Sequence, residues 1–394
     1  MMLWIGFSLA IILLLILSRR DLALGMGVAT ITLAIFTLSM GDFGAALSRT
    51  FTDPSVYLLA LVVGMIPLIG GAMEATGQMD RLVSNLRIGT RPFLAISPAL
   101  MGMLPMPGGA LMSAPMVERG AAHAPGDIKA AANVWFRHAL LLVYPLGSAL
   151  IASAKIAGLE LYGVIPYLVP PFLLTLVLGY LFLLRSVSGK LPVSGPFSLA
   201  GLLVPLSIIL AAPVLDLTLK QAIRLPYSEI GTAVGVAVSL VLAFVVGHVR
   251  LPAFGRILKK AKPWKYMLII VAMFAFLNVF ASSGVPERIG AMALPPVVLC
   301  VVLGFALGLI TGRIQAPISI VIPIYVSTYG TITASAFAVT YFAIFMGFVL
   351  TPIHPCVSVS LEYFDSSLGA FLRKLAIPSI IALVSTLVVG YFLF

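Results

Sequence analysis

The sequence of 394 residues has few charged residues and no long polar segment. Asp, Glu, Lys and Arg together make up 9% of the chain, and hydrophobic residues make up 61%. Soluble chains carry about 25% charged residues. Apolar stretches of roughly 18–20 residues recur, and each is long enough to cross a hydrocarbon core about 30 Å thick. This composition predicts an all-α polytopic membrane protein and excludes a separate soluble domain.

Motifs of the common enzyme classes are also absent. The chain contains no H-E-x-x-H, Walker A, G-x-G-x-x-G or G-x-S-x-G motif, and no pair of carboxylates lies inside an apolar segment. Only two cysteines occur, Cys300 and Cys356, and they lack metal-ligand spacing, so we expect them to be buried packing residues. We therefore expect no enzymatic activity, no cofactor and no metal other than a coupling Na⁺.

The apolar segments predict ten membrane crossings and two further broken segments. The broken segments are about 92–122, interrupted by "MLPMPGGALMSAP" (103–115), and about 291–328, interrupted by "TGRIQAP" (311–317). The predicted crossings are about 2–18, 22–40, 55–76, 128–154, 161–184, 197–214, 229–248, 266–283, 331–360 and 375–394. Two of these crossings are themselves interrupted, at "YPLGS" (144–148) and "TPIHP" (351–355).

The two halves of the chain show the same order of plain and broken segments, which predicts an internal repeat of residues 1–190 and 191–394. Residues of the same or similar type recur at an offset of about 206 or 207 positions. Examples are Gly77 and Gly284, Arg81 and Arg288, Gly102 and Gly308, Ser113 and Ser319, and Ser153 and Ser360.

The distribution of positive charge predicts that each of 92–122 and 291–328 is a re-entrant hairpin. With hairpins, 17 of the 24 Lys and Arg residues fall on one face, which the positive-inside rule makes cytoplasmic. Five crossings in each half then force the second half to insert upside down, with both termini outside. The net charge of +11 therefore reflects membrane orientation and does not indicate nucleic-acid binding.

Paired broken segments of this kind mark the binding site in secondary transporters. Irregular backbone cannot face lipid, because each unpaired N–H or C=O group costs several kcal/mol there. We expect the breaks to converge near the middle of the membrane and to bind a substrate. The predicted substrate-binding residues are Pro107, Gly108, Gly109, Ser113, Ser148, Arg313, Gln315, Ser319, Thr351 and His354.

Arg313 is predicted to grip an anion, because a buried Arg is rare in a membrane without a partner and its guanidinium binds carboxylates with two hydrogen bonds. The alternative is that it caps the hairpin itself. The predicted coupling-ion residues are Gly147, Ser148, Thr351, His354 and Ser358. His354 could carry a proton or serve as a structural plug. Arg137 and His138 are expected to snorkel to the cytoplasmic face.

The whole chain resembles the ion transporter superfamily. The motifs that carry the resemblance are "MLPMPGGALMSAP" and "TPIHPCVSVSLEYF". Within that superfamily the chain is most similar to an uncharacterised prokaryotic integral-membrane family, domain of unknown function family 401. The resemblance implies substrate binding between the hairpin tips and broken helices, a homodimer formed through scaffold helices, and an elevator movement. The Ser-Asn-Thr tip motifs of the dicarboxylate symporters are missing, so neither a sodium site nor a dicarboxylate substrate carries over.

The sequence therefore predicts a secondary active transporter in the cytoplasmic membrane of a prokaryote. It would move a small organic anion of the carboxylate type, coupled to H⁺ or Na⁺. Two alternatives stay open: a translocase for a lipid-linked phosphate or an inorganic anion, and an intramembrane hydrolase using Ser113 and His354.

Overall fold

The protein is helical throughout its described part. The computed structural model describes residues 2–18, 20–103, 109–188 and 196–394, and no strand occurs among them. Within these ranges seven helices are long and apolar enough to cross a membrane, and three shorter apolar helices accompany them. The chain is thus a helical integral membrane protein, as its composition predicts, whereas the count of ten crossings stays a prediction.

The described residues of the first half form ten α-helices. They are α1 (Met2–Leu17), α2 (Leu22–Thr37), α3 (Met40–Phe51), α4 (Pro54–Ala75), α5 (Gln78–Ser84), α6 (Thr90–Met103), α7 (Gly109–Gly120), α8 (Gly126–Ala139), α9 (Ser148–Ile156) and α10 (Leu161–Gly179). A short 3₁₀ turn, Leu140–Leu142, follows α8, and a π-helical turn, Tyr180–Leu184, extends α10.

The described residues of the second half, 196–394, form another ten α-helices in a similar order of lengths. They are α11 (Leu199–Ala222), α12 (Glu229–Val246), α13 (Leu251–Ala261), α14 (Pro263–Ser282), α15 (Val285–Gly290), α16 (Gly304–Thr311), α17 (Gln315–Tyr329), α18 (Ala334–Leu350), α19 (Pro355–Tyr363) and α20 (Leu368–Leu393). A π-helical turn, Val298–Leu303, leads into α16. The short helices α3 and α13, which mix charged and apolar residues, were not predicted.

Contacts between the helices are paired across the two halves. Helix α4 packs on α12 and α14 packs on α2, while α7 packs on α19 and α17 packs on α9. Likewise α10 contacts α18, and α20 contacts α8. A two-fold relation between the halves would produce this pairing. The division into inverted repeats at 1–190 and 191–394 nevertheless stays a prediction.

Two glycines at corresponding positions allow close helix crossings. A Cβ on Gly102 of α6 would collide with the Arg137 carbonyl of α8, and a Cβ on Gly308 of α16 would collide with the Ile344 carbonyl of α18. Small residues let membrane helices approach until their backbones touch. These two crossings hold each hairpin helix against the broken helix that follows it in the chain.

The helices form two groups that have few contacts with each other. Bundle A contains α1, α2, α4, α11, α12 and α14, and bundle B contains α6 to α10 and α16 to α20. The main contacts between the bundles are α14 on α17 and, less extensively, α4 on α9. The short helix α15 also connects them, because it packs on α17 as well as on α14 and α1. Asn278 of α14 donates a hydrogen bond to Thr50 of α3 at 2.8 Å, which fixes the amphipathic helix α3 to bundle A.

Ion pairs join residues that the predicted topology places on the same side. Four lie on the predicted cytoplasmic side: Lys129–Glu118, Lys260–Glu74, Lys265–Asp21 and Lys374–Asp127. Two lie on the opposite side: Lys155–Glu229 and Lys220–Asp216. The hairpin topology itself stays a prediction.

The topology predicts that both ends of each hairpin are accessible from one side. We expect Gly89→Cys and Ala122→Cys, in a background with both native cysteines replaced, to react with a membrane-impermeant maleimide from the cytoplasmic side only. Ala291→Cys and Thr331→Cys should react only from the outside. All four positions are exposed in the fold. Labelling of positions 89 and 122 from opposite sides would contradict both the hairpin and the inverted repeat.

Candidate functional site at the four helix breaks

A cavity of about 350 Å³ lies where both hairpins meet both broken helices. Its walls in bundle B include Gly109 of the first hairpin, Ser148 at the first broken helix, Arg313 of the second hairpin and His354 at the second broken helix. Bundle A contributes Leu22, Val63, Tyr266, Ile269 and Ile270. The cavity therefore lies between the two bundles, and elements of both halves of the chain build it.

Four helices begin at this cavity. Helices α7, α9, α17 and α19 start at Gly109, Ser148, Gln315 and Pro355, all of which line it. The residues before the last three starts, Gly147, Ile314 and His354, make no side-chain capping hydrogen bond. The first N–H groups of a helix have no partner within it and carry partial positive charge, so they attract anions.

Among the helices that start near the predicted membrane surfaces, some are capped by a side chain and others, such as α8, α10 and α12, are not. Side chains of Asp21, Asp53, Ser198, Thr333 and Ser367 accept backbone hydrogen bonds at the starts of α2, α4, α11, α18 and α20. Such capping satisfies free N–H groups at a helix start. At the cavity, α9, α17 and α19 have no side-chain cap, which leaves their first N–H groups available to a bound ligand.

Arg137 is the first of two arginines in the cavity. Its side chain is only 5% exposed, and its Nη1 donates a hydrogen bond to the Gly109 carbonyl at 2.8 Å. Nη1 also lies 3.5 Å from Oγ of Ser113. The prediction that Arg137 and His138 snorkel to the cytoplasmic face is therefore wrong. A carbonyl at the start of α7 satisfies the Arg137 guanidinium inside the protein, and this partner lies 28 positions away in the sequence.

Arg313 is the second arginine, and its side chain is less constrained. It follows Gly312, whose φ of 59° ends α16 in the left-handed conformation. Hydrogen bonds of 3.2 Å between the Thr311 hydroxyl and the Arg313 backbone fix this turn. The half-buried Arg313 guanidinium makes no hydrogen bond or ion pair with the described residues, although it interacts electrostatically with Tyr266 and Asp21. Its donors are therefore free to bind a ligand.

The charge of the cavity is entirely positive. Arg137 and Arg313 line it, and no acidic side chain does so among the described residues. Apolar side chains such as Ile269 and Phe348 cover much of the remaining wall. A low-polarity wall strengthens the attraction between a buried cation and a bound anion. The arrangement fits an anionic ligand with an apolar part.

Two histidines and a phenylalanine form a cluster of rings at one end of the cavity. The rings of His138 and His354 are 4.8 Å apart, and Phe348 packs edge-on against His354 at 4.4 Å. Nδ1 of His138 lies 2.6 Å from the Val134 carbonyl, so this nitrogen carries the proton of a neutral ring. Nδ1 of His354 is buried and has no hydrogen-bond partner among the described residues.

The structure brings six of the predicted site residues together. Those that line the cavity are Gly109, Gly147, Ser148, Arg313, Gln315 and His354. Pro107 and Gly108 lie outside the described residues. The sequence missed Arg137, His138, Tyr266, Tyr341 and Cys356, which also line the cavity. Arg137 could have been found, because it is one of only two arginines that the predicted topology leaves inside apolar segments.

Four predicted residues do not line the cavity. The hydroxyls of Ser113 and Ser319 are buried and donate to carbonyls of their own helices, at 3.3 Å to Ala110 and 2.8 Å to Ala316. Thr351 is fully buried, and its hydroxyl has no partner among the described residues. Ser358 is exposed away from the cavity. Ser and Thr hydroxyls in helices often bond back to the preceding turn, which removes them from a site.

The two arginines should differ in their effect on stability. Arg137→Gln removes a buried charged hydrogen bond and should destabilise the protein by about 1.5–3 kcal/mol. Arg313→Gln should change stability by less than about 0.5 kcal/mol, because no described partner is lost. Thermal unfolding of both variants in the same detergent measures the difference. Equal losses of stability would show that Arg313 also braces the fold.

The fold is shared with a solved transporter. A crystal structure of the YdaH transporter from Alcanivorax borkumensis matches this chain with a TM-score of 0.63 and 19% sequence identity. The match covers 89% of this chain and 87% of that one. At this identity the similarity shows the fold alone. No curated protein sequence matches the chain.

A family model matches nearly the whole sequence. It is described as a protein of unknown function (DUF401) and matches residues 2–392. The family resemblance seen in the sequence is therefore confirmed, while the wider assignment to the ion transporter superfamily stays a prediction. The chain belongs to the DUF401 family.

Proposed function

We propose that this protein is a secondary active transporter that moves a small organic anion of the carboxylate type across the cytoplasmic membrane of a prokaryote. The observation that carries the proposal is the cavity at the four helix breaks. It combines four helix N-termini, two arginines and no acidic lining residue among the described ones. The shared fold with the YdaH transporter supports the same class of function.

Arg313 is the proposed anion-selecting residue. Its guanidinium has no described hydrogen-bond partner and lies beside the start of α17 at Gln315. The planar fork of Arg matches a carboxylate with two parallel hydrogen bonds. The anionic group would therefore bind near Arg313 and the N-termini of α17 and α19. The remaining part of the substrate would contact apolar side chains such as Ile269 and Phe348.

An elevator-like movement of bundle B along bundle A would carry the substrate across the membrane. The limited contact between the bundles supports this proposal, because such movement requires an interface that can slide. Some polar contacts would have to break. Lys155 of α9 pairs with Glu229 of α12 at 2.8 Å, and Tyr162 of α10 donates to Asp216 of α11 at 2.9 Å. We also propose a homodimer formed through bundle A.

The proposed coupling ion is H⁺ or Na⁺. Gly147, Ser148 and His354 line the cavity and keep their proposed role at the starts of α9 and α19. Broken helices of transporters bind cations with backbone carbonyls and hydroxyls. Thr351 and Ser358, which do not line the cavity, could take part only after a change of conformation.

The geometry does not favour the hydrolase alternative. A nucleophilic serine needs a base within hydrogen-bond reach. The Ser113 hydroxyl instead interacts with the carbonyls of Gly109 and Ala110 and with Arg137, and Nδ1 of His354 has no described partner. No described feature specifically favours a lipid-linked phosphate or an inorganic anion over an organic one.

Transport by the purified protein tests the proposal. Proteoliposomes should take up one or more carboxylates from a labelled panel without chemical change, driven by either a pH gradient without Na⁺ or a Na⁺ gradient. Arg313→Lys should weaken uptake and Arg313→Gln should abolish it at ordinary concentrations, because loss of a buried charged pair costs about 2–5 kcal/mol of binding.

Arg288→Gln is the matched control, because Arg288 is exposed on α15 and outside the cavity. Its uptake should equal that of the wild type. Wild-type uptake by a well-folded Arg313→Gln protein would mean that Arg313 does not select the anion. Chemical conversion of the panel, without uptake of unchanged anion, would favour an enzyme instead.

A further inference from the structure

The two histidines of the ring cluster and a nearby cysteine are side chains that commonly bind metal ions. They are His138 of α8 and, at the start of α19, His354 and Cys356. One donor atom from each residue lies within 4.8 Å of the other two. The residues come from the two broken helices, which belong to different halves of the chain. Their proximity arises only in the folded protein, so the spacing of the cysteines in the sequence could not indicate it.

Each of the two histidines has a ring nitrogen without a hydrogen-bond partner among the described residues. Nδ1 of His138 donates a hydrogen bond to the Val134 carbonyl, so Nε2 of the neutral ring keeps the lone pair that can bind a metal ion. Metal-ligating histidines commonly use such a hydrogen bond to orient the ring. His354 is 8% exposed, and its buried Nδ1 has no hydrogen-bond partner among the described residues. A buried polar nitrogen without a partner is costly, and a bound ion would satisfy it.

The donor set and the charge of the cavity select the kind of ion. Imidazole and thiolate ligands favour soft ions, whereas Mg²⁺ and Ca²⁺ need oxygen ligands. A divalent ion bound to one thiolate would keep a net positive charge beside Arg137 and Arg313. A monovalent ion bound to one thiolate would be neutral. Arg137 also interacts with Cys356, so the positive charge of Arg137 lies beside the proposed metal ligand.

We propose that His138, His354 and Cys356 form a binding site for a soft monovalent metal ion, copper(I) or silver(I). On binding, the Cys356 thiol releases its proton to the solvent and a metal–sulfur bond forms, while the two imidazoles add neutral nitrogen ligands. The metal is neither oxidised nor reduced.

The donors require a small rearrangement. With bonds of about 2.0–2.3 Å, the donor atoms of a three-coordinate ion lie roughly 3.5–4 Å apart. The most distant pair must therefore approach by about 1 Å. Because His354 and Cys356 follow the break between α18 and α19, the start of α19 can move more easily than a residue inside a continuous helix. The bound ion would link α8 to α19 across the cavity.

Copper(I) is the probe for this site, offered to the full-length protein in detergent in competition with a chromophoric copper(I) chelator. We expect one tightly bound ion per chain in the wild type. Cys356→Ser should lower the affinity for copper(I) at least about 100-fold. Loss of a residue that only hydrogen-bonds to a metal ligand already lowers metal affinity about 10–100-fold. Cys300→Ser is the matched control, since Cys300 is buried in another part of the fold, and it should bind like the wild type.

X-ray absorption of the copper(I)-loaded protein gives a second measurement. It should show one sulfur and two nitrogen ligands in the wild type and in Cys300→Ser. His354→Asn serves as a second variant in case Cys356→Ser fails to fold, and it should lose one nitrogen ligand and bind more weakly. The proposal would be overturned if Cys356→Ser bound copper(I) as tightly as the wild type or if Cys300→Ser lost the site. A spectrum that shows two sulfur ligands would also overturn it.

Discussion

Helices that are interrupted inside a membrane leave backbone N–H and C=O groups without partners, and lipid cannot satisfy them. This constraint explains why the four interruptions lie together in this fold. The starts of α7, α9, α17 and α19 all line one cavity, and no side chain caps the starts of α9, α17 and α19 there. The close crossings at Gly102 and Gly308 hold the hairpins against the broken helices. The polar cavity is therefore a consequence of the interrupted backbone.

The two arginines of the cavity differ in their roles, since Arg137 stabilises the fold and Arg313 is the proposed ligand-binding residue. Arg137 is held by the Gly109 carbonyl and keeps the start of α7 in place. Arg313 has no described hydrogen-bond partner for its guanidinium and is fixed only through its backbone. Because no acidic side chain lines the described cavity, a bound anion would bring negative charge next to the two arginines. The two arginines thus differ in their surroundings, although both line the same cavity.

The sequence predicted the helical membrane class, the four interruptions and several cavity residues, because composition and Gly/Pro patterns act locally. It missed the amphipathic helices α3 and α13, which are too short and too polar to resemble crossings. It misplaced Arg137, because the carbonyl that binds its side chain belongs to a distant segment. It could not indicate that His138 lies near His354 and Cys356, because His138 belongs to a distant helix, α8. Side-chain partners across elements require the tertiary structure.

The central claim is that this cavity is a transport site that opens to each side of the membrane in turn. Ser148→Cys, in a background without the native cysteines, places a single thiol at the cavity wall. The account predicts that a membrane-impermeant thiol reagent modifies this position from either side of oriented proteoliposomes, and that a transported anion slows both reactions. Modification from one side only, at a rate unchanged by any transported anion, would contradict the account.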